Sequence, residues 1–277
     1  MKKSKSNLLL LIVFLIGLSL LLYPVVSDYV NDKNQSHAIA AYQKNVTALS
    51  AQDTSALLAA ASAYNAQLAA GASSFTLTDA QLAAYNRLLN ADGSGVMGYI
   101  EIASIGVSLP IYHGVADSVL AVGAGHLPGS SLPVGGAGTH CVLSGHRGLP
   151  SARLFTDLDQ LQKGDTFVLH VLDQKLTYEV DQILIVEPQD VSALAIDPDK
   201  DLCTLVTCTP YGVNTQRLLV RGHRVENGVQ APTAAADAAA VDPVLVAAVL
   251  AAPPLLILLL FLLLPARKKD AKKKRGE

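Results

Sequence analysis

The chain has 277 residues, 51% of them hydrophobic and 16% charged, with a formal net charge of −2. The length allows one sizeable domain plus accessory segments. The charge is sorted along the chain: basic residues crowd the two termini, and the stretch between is net acidic, which argues against a nucleic acid as partner.

In chain order, a short tail (1–7) carrying Lys2, Lys3 and Lys5 precedes an apolar run that meets no charge before Asp28. A run of about 20 such residues matches the hydrocarbon core of a bilayer, so 8–27 is expected to be a transmembrane helix. A cleaved signal peptide is the rival reading, with Ala38-Ile-Ala40 as its cleavage site. A second apolar run at 243–265 contains Pro253-Pro254, which membrane helices tolerate, and a basic tail follows at 266–277. Its rival is a C-terminal sorting tail that is later removed. Positive flanks on both runs place both termini in the cytoplasm and the middle of the chain outside, as a multi-pass protein of the cell membrane. Neither run carries an ionisable residue, which argues against a transporter or channel.

Residues 28–95 read as a helical stalk and cover. Ala and Leu recur at helical spacing up to Gly71, a non-helical crossing follows at 73–77, and Thr78-Asp-Ala-Gln81 has the form of a capping box opening a helix through Leu89. From Val96 the texture changes to short runs punctuated by Gly and Pro. Strands are expected at 98–102, 107–112, 140–144, 166–172, 176–186, 202–207 and 216–225, with a brief helix at 116–121, a longer one at 151–161 and a helical turn at 192–195. Several short strands at this spacing predict a mainly β fold, a closed β-barrel over 96–226 with few helices. An Ala-rich linker at 227–242 leads to the second run.

Three cysteines make an odd number outside the cell, so at least one thiol is free. Cys141 and Cys203 sit in apolar strand-like surroundings and are expected to pack in the core, while Cys208 stands at a strand end beside a Pro-Tyr-Gly loop. Five residues along one strand separate Cys203 from Cys208 too far for a disulfide. A nucleophilic thiol needs a base or cation nearby. His146, in a Gly-flanked loop at a strand end, is the leading base; His113 and His126 also adjoin glycines, His140 and His170 lie within strands, His223 lies late on the last strand, and His37 belongs to the stalk. Arg217 and Arg221 are four apart on one strand and so share a face, with Arg217 nearer the loop after Cys208. A guanidinium there can steady a developing oxyanion. Gly-rich 134–138 reads as a turn, since no helix start or Lys follows to make a phosphate cradle, and no His/Cys grouping has the spacing of a structural zinc site.

Thr204-Leu-Val-Thr-Cys208 is the TLxTC signature of sortases, membrane-anchored cysteine transpeptidases of Gram-positive bacteria. Leu109-Pro-Ile-Tyr-His-Gly114, Ser131-Leu-Pro-Val-Gly-Gly136, Ser144-Gly-His-Arg-Gly-Leu-Pro150 and Thr207-Cys-Thr-Pro-Tyr-Gly212 resemble class C, the pilin-polymerising sortases, and the resemblance covers roughly 96–224. It implies Cys208 as nucleophile, His146 as acid/base and Arg217 as the arginine that holds substrate and oxyanion. It implies cleavage of an LPxTG-like signal between Thr and Gly through a thioester, and transfer to a pilin lysine. No cofactor or metal is implied, and a monomer is expected. Class C sortases commonly carry a lid with an Asp-Pro-aromatic motif before the barrel; 71–81 lacks it, and Phe75 and Asp79 are the available lid residues. A sortase joining proteins to cell-wall peptidoglycan is the same-fold alternative, and an inert membrane-tethered binding module the alternative from another class.

Overall fold

The computed structural model describes residues 2–72 and 74–228, together with residues 253 and 255. Most of the second span, its linker and the basic tail therefore lie outside the described residues. The chain divides into two units, the second of which holds residues 27–238. In the first, the N-terminal part of helix α1 (Lys2–Ala48) contains the only helix window among the described residues long and apolar enough to cross a membrane, with a mean hydropathy of 2.8. The helix does not stop where the apolar run stops. Residues 28–48 contain neither Gly nor Pro, so nothing in them breaks the turn.

In the second unit, α1 continues to Ala48 and α2 spans Ala51–Gln67, capped by the Ser50 hydroxyl on the Asp53 N–H. A single π-type turn (Leu68–Ala72) then ends at Gly71, whose φ of 99° stops the helix where the sequence reading places its end. This region is more than a polar stalk. Tyr42 of α1 donates to the Met97 carbonyl and accepts from the Leu172 N–H, and Asn65 of α2 bonds both the N–H and the carbonyl of Leu132. These contacts fasten the helices to the barrel. Helix α3 (Asp79–Tyr85) opens with the expected capping box but stops four residues short of Leu89. The Leu88 carbonyl is taken by His113 Nε2 at 2.6 Å, and Leu89 adopts a left-handed φ of 54°.

Eight strands close the barrel: β1 (Val96–Ile102), β2 (Val107–His113), β3 (Ala124–His126), β4 (Thr139–Ser144), β5 (Thr166–Val171), β6 (Gln174–Val186), β7 (Asp201–Thr209) and β8 (Gln216–Val225). Their order around the barrel is β1-β2-β3-β4-β7-β8-β6-β5, and β5 pairs back with β1. The expected strands are all present. β3, three residues with glycine on both sides of Ala124, has no sequence signature of its own. Alternate side chains fill the interior: Ile100 and Ile102, Cys141 and Leu143, Phe167 and Leu169, Cys203 and Leu205, Leu218 and Val220. The expected brief helix is α4 (Asp117–Leu120).

One expectation fails. Residues 151–161 are not helical: Leu149 bridges Ala152, Leu154 has a φ of 44°, and only a 3-10 turn forms at Leu158–Gln160. Phe155 is fully buried here and its N–H donates to the His146 carbonyl at 3.1 Å. Tertiary packing around His146 overrides a helical propensity that is only a weak prior. The Gly-rich 134–138 is a turn as read. Its Gly136 N–H is already satisfied by the Asp201 carboxylate at 2.8 Å, which also accepts from Tyr178 at 2.9 Å.

Candidate active site

Strands β4 and β7 run parallel, with Cys141 opposite Cys203 and Ser144 opposite Val206. β7 and β8 run antiparallel, with Cys208 opposite Arg217. Along β7, Cys203 and Leu205 belong to the interior, so Val206 and Cys208 lie on the outer face. Along β8, Leu218 and Val220 point inward and Arg217, Leu219 and Arg221 outward. The β4–β7 ladder ends at Ser144 and Val206, and the Gly145 N–H still reaches the Val206 carbonyl, so His146 opens the loop next to the end of β7 that carries Cys208. Cys208 and Arg217 thus share the outer face at one end of β7 and β8, with His146 in the loop that leaves β4 at the same end. Cys208, His146 and Arg217 are each half-buried.

Several contacts fix this end. Gly145 N–H donates to the Val206 carbonyl at 3.0 Å, and the Thr207 hydroxyl donates to the Gly145 carbonyl at 2.8 Å. A Cβ on Gly145 would stand 2.5 Å from the Phe155 ring, so only glycine allows that ring behind the histidine. Arg217 Nη1 donates to the carbonyls of Gln216 (3.0 Å) and Asn214 (3.3 Å), which orients the guanidinium toward the β7–β8 loop. Tyr211 and Val213 of that loop are exposed.

From Cys208 an apolar floor runs down the outer face. Val142, Leu194 and Leu219 form its buried centre, with Leu127, Leu184, Val186, Ala193 and Val206 around them. Phe75 packs onto this floor. The segment carrying it crosses Gly129, where a Cβ would lie 2.0 Å from the Ser74 carbonyl oxygen. Asp79 is exposed in the first turn of α3, where a carboxylate complements the helix dipole.

The remaining candidates have structural partners. His126 is buried between the Tyr85 hydroxyl (2.8 Å) and the Ser131 carbonyl (2.9 Å). His113 bonds the Gly95 and Leu88 carbonyls, and His140 bonds the Ala195 carbonyl and the Thr204 hydroxyl. Burial holds both below the usual histidine pKa. His170 stacks on Tyr99 at 4.3 Å and bonds Glu101, His223 lies 3.9 Å from Asp181, and His37 is exposed on α1. Arg221 is held bidentate by Asp181 at 2.9 and 3.0 Å. All three cysteines are free, with Cys141 and Cys203 buried. Burial, and then the bond to Cys141, pushes the Cys203 thiol well above the ordinary cysteine range, and with Cys141 and Cys203 both buried Cys208 is the accessible thiol. Among the described residues no His/Cys/Asp/Glu cluster could hold a metal. The apolar floor escaped the sequence reading, because outward Val142 and Leu219 look like any core residue until strand pairing is known.

Residues 100–225 match the family model of the sortase domain. Among solved structures, sortase C1 from Streptococcus agalactiae has a TM-score of 0.67 and 50% identity, covering 69% of this chain and 99% of that one. Sortase C of Streptococcus pneumoniae, whose structure is described with insights into catalysis and pilin substrate specificity, has a TM-score of 0.62 and 43% identity, covering 69% and 97%. Among curated proteins, Sortase D of Bacillus subtilis is 33% identical over 131 residues, which is 46% of this chain and 63% of that protein.

Proposed function

This chain belongs to the sortase family, and from that premise we propose that it is a pilus-assembling transpeptidase with Cys208, His146 and Arg217 as its catalytic residues. The observation that carries the proposal is the register pairing of Cys208 with Arg217 on the outer face, with His146 in the loop that leaves the parallel strand β4. The apolar floor below Cys208 suits the Leu-Pro half of an LPxTG-like signal, which sets the signal's Thr–Gly bond over the thiol. Cys208 Sγ gives its proton to His146 and attacks the threonine carbonyl carbon, and the oxygen takes up the displaced electron pair as an oxyanion beside the Arg217 guanidinium. As the tetrahedral species collapses, the C–N bond breaks and His146 gives a proton to the departing glycine nitrogen. The product is a thioester on Cys208. A pilin lysine amine then attacks the thioester carbonyl, His146 takes the amine's proton, and the thiol leaves as the isopeptide bond forms.

Phe75 is assigned as the lid residue: it packs on the floor the signal would use, in the place where an Asp-Pro-aromatic motif is missing. Asp79, exposed at the start of α3, is the acidic member of the same segment. The membrane reading has two spans, 8–27 and 243–265, with both tails cytoplasmic and the barrel outside. The apolar N-terminal helix supports the first span.

The acceptor divides this reading from its alternative. The likeness to the S. pneumoniae protein, described for its pilin substrate specificity, supports a pilin acceptor, and cell-wall peptidoglycan is the alternative that the sortase resemblance leaves open. Incubating the full chain in detergent with candidate pilins bearing the signal decides: a covalent ladder that disappears in Cys208→Ala supports the proposal. A ladder that survives the substitution overturns the mechanism, and attachment to wall precursors without any ladder overturns the acceptor.

A further inference from the structure

The backbone ladder between β4 and β7 ends just before the residues it serves. Ser144 pairs with Val206, the Gly145 N–H makes one more bond to the Val206 carbonyl, and His146 and Cys208 lie beyond it. Past that point the bonds joining the two segments come from side chains. Thr207 reaches the Gly145 carbonyl, and Arg147 Nη1 lies 3.5 Å from the Thr209 hydroxyl, at the outer edge of hydrogen-bond reach. Arg147 follows His146, and Thr209 follows Cys208. Thr207 and Thr209 are buried on the face opposite Cys208, so these bridges brace the pair from behind.

Arg147 has further contacts. Its Nη2 bonds Asp159, and its guanidinium stacks 5.8 Å from the ring centroid of Tyr211 on the β7–β8 loop. The side chain is only 9% exposed, and its Nε is buried without an acceptor among the described residues. A buried N–H left without an acceptor is destabilising, so stability alone does not account for an arginine at this position. Its planar fork meets two differently directed partners, which a lysine ammonium does not reproduce.

Building on the proposed function, we infer that Arg147 is a positioning residue that sets the separation of His146 from Cys208, by tying the histidine loop to Thr209 and to the β7–β8 loop. It touches neither substrate nor reacting atoms, and the apolar floor that binds the signal lies on the other face. A displacement of about 1 Å in such a pair lowers the rate about 10²-fold. The expected signature is therefore a fall in kcat at unchanged KM.

The test uses the full chain in detergent and a fluorogenic Leu-Pro-Glu-Thr-Gly peptide. Arg147→Ala is expected to lower kcat about 10²-fold, and Thr209→Val, which keeps shape and removes only the hydroxyl, about 10-fold, each with KM within twofold. Arg147→Lys is expected to remain as slow as Arg147→Ala. The inference is overturned if Thr209→Val keeps full kcat, if Arg147→Lys restores it, or if the losses fall in KM. Thr209→Val keeps the test decisive should Arg147→Ala fold poorly. Cys208→Ala and His146→Ala run alongside separate the two levels: turnover surviving in them refutes the underlying catalytic assignment, whatever the Arg147 variants do.

Discussion

The inner and outer faces of β4, β7 and β8 are built from one set of residue types and do opposite work. Inside, Cys141 and Cys203 sit opposite each other, fully buried among Leu143, Leu205 and Val220. Outside, five residues past Cys203, Cys208 is half-buried opposite Arg217. Burial pushes the Cys203 thiol well above the ordinary cysteine range, whereas Cys208 stands at an open strand end in register with Arg217. On the proposed assignment function follows from parity along a strand, since one step of register exchanges the two faces.

Substitutions on the two faces should separate chemistry from stability. The largest effect is expected at Cys208, where Cys208→Ala abolishes isopeptide ladders without moving the thermal midpoint. His146→Ala should lower kcat about 10²- to 10⁴-fold, and Arg217→Ala about 10²- to 10³-fold, both measurable by peptide cleavage. Inside the barrel the expected loss is of the other kind. Leu205→Ala should lower stability by about 2–5 kcal/mol in denaturant unfolding, while Cys208 in the folded fraction stays as reactive to iodoacetamide. Should Leu205→Ala leave stability untouched and halt chemistry, the division between faces fails.

A smaller effect tests the cover. Phe75→Ala should speed iodoacetamide labelling of Cys208 several-fold, and an unchanged rate removes the lid role. The smallest concerns pH. Burial holds His113 and His140 below the usual histidine pKa, so the unfolded chain binds their protons more readily than the fold does. Their contribution is complete above about pH 6.5 and is lost as pH falls through their depressed values. The thermal midpoint should therefore drop between pH 8 and pH 5, and His140→Asn should flatten that drop.

Phe155 and Phe75 show where sequence legibility stopped. The strands were readable because alternation at period two and Gly/Pro punctuation are local signals. Cys208 was readable because it lies in a recognisable motif at a strand end. Residues 151–161 carry a helical pattern, yet the chain there turns back so that Phe155 fills the space against Gly145 and bonds His146. That requirement comes from a residue ten positions away and overrides local preference. The floor under Cys208 was hidden for a similar reason, since Val142, Leu194 and Leu219 meet only when β4, β8 and the β6–β7 connection are brought together.

The sequence by itself determined the apolar N-terminal helix, the strand-rich middle, the motifs around His146 and Cys208 and the pairing of Arg217 and Arg221 on one face. Each of these is written in residues close together in the chain. Tertiary structure alone decided that Arg217 stands opposite Cys208 while Arg221 is spent on Asp181, that Phe75 rests on the outer floor, and that Arg147 spans from the histidine loop to Thr209. These depend on strand register and loop packing, which join residues as far apart as Arg147 and Thr209, 62 positions, and no local pattern encodes a partner at that distance.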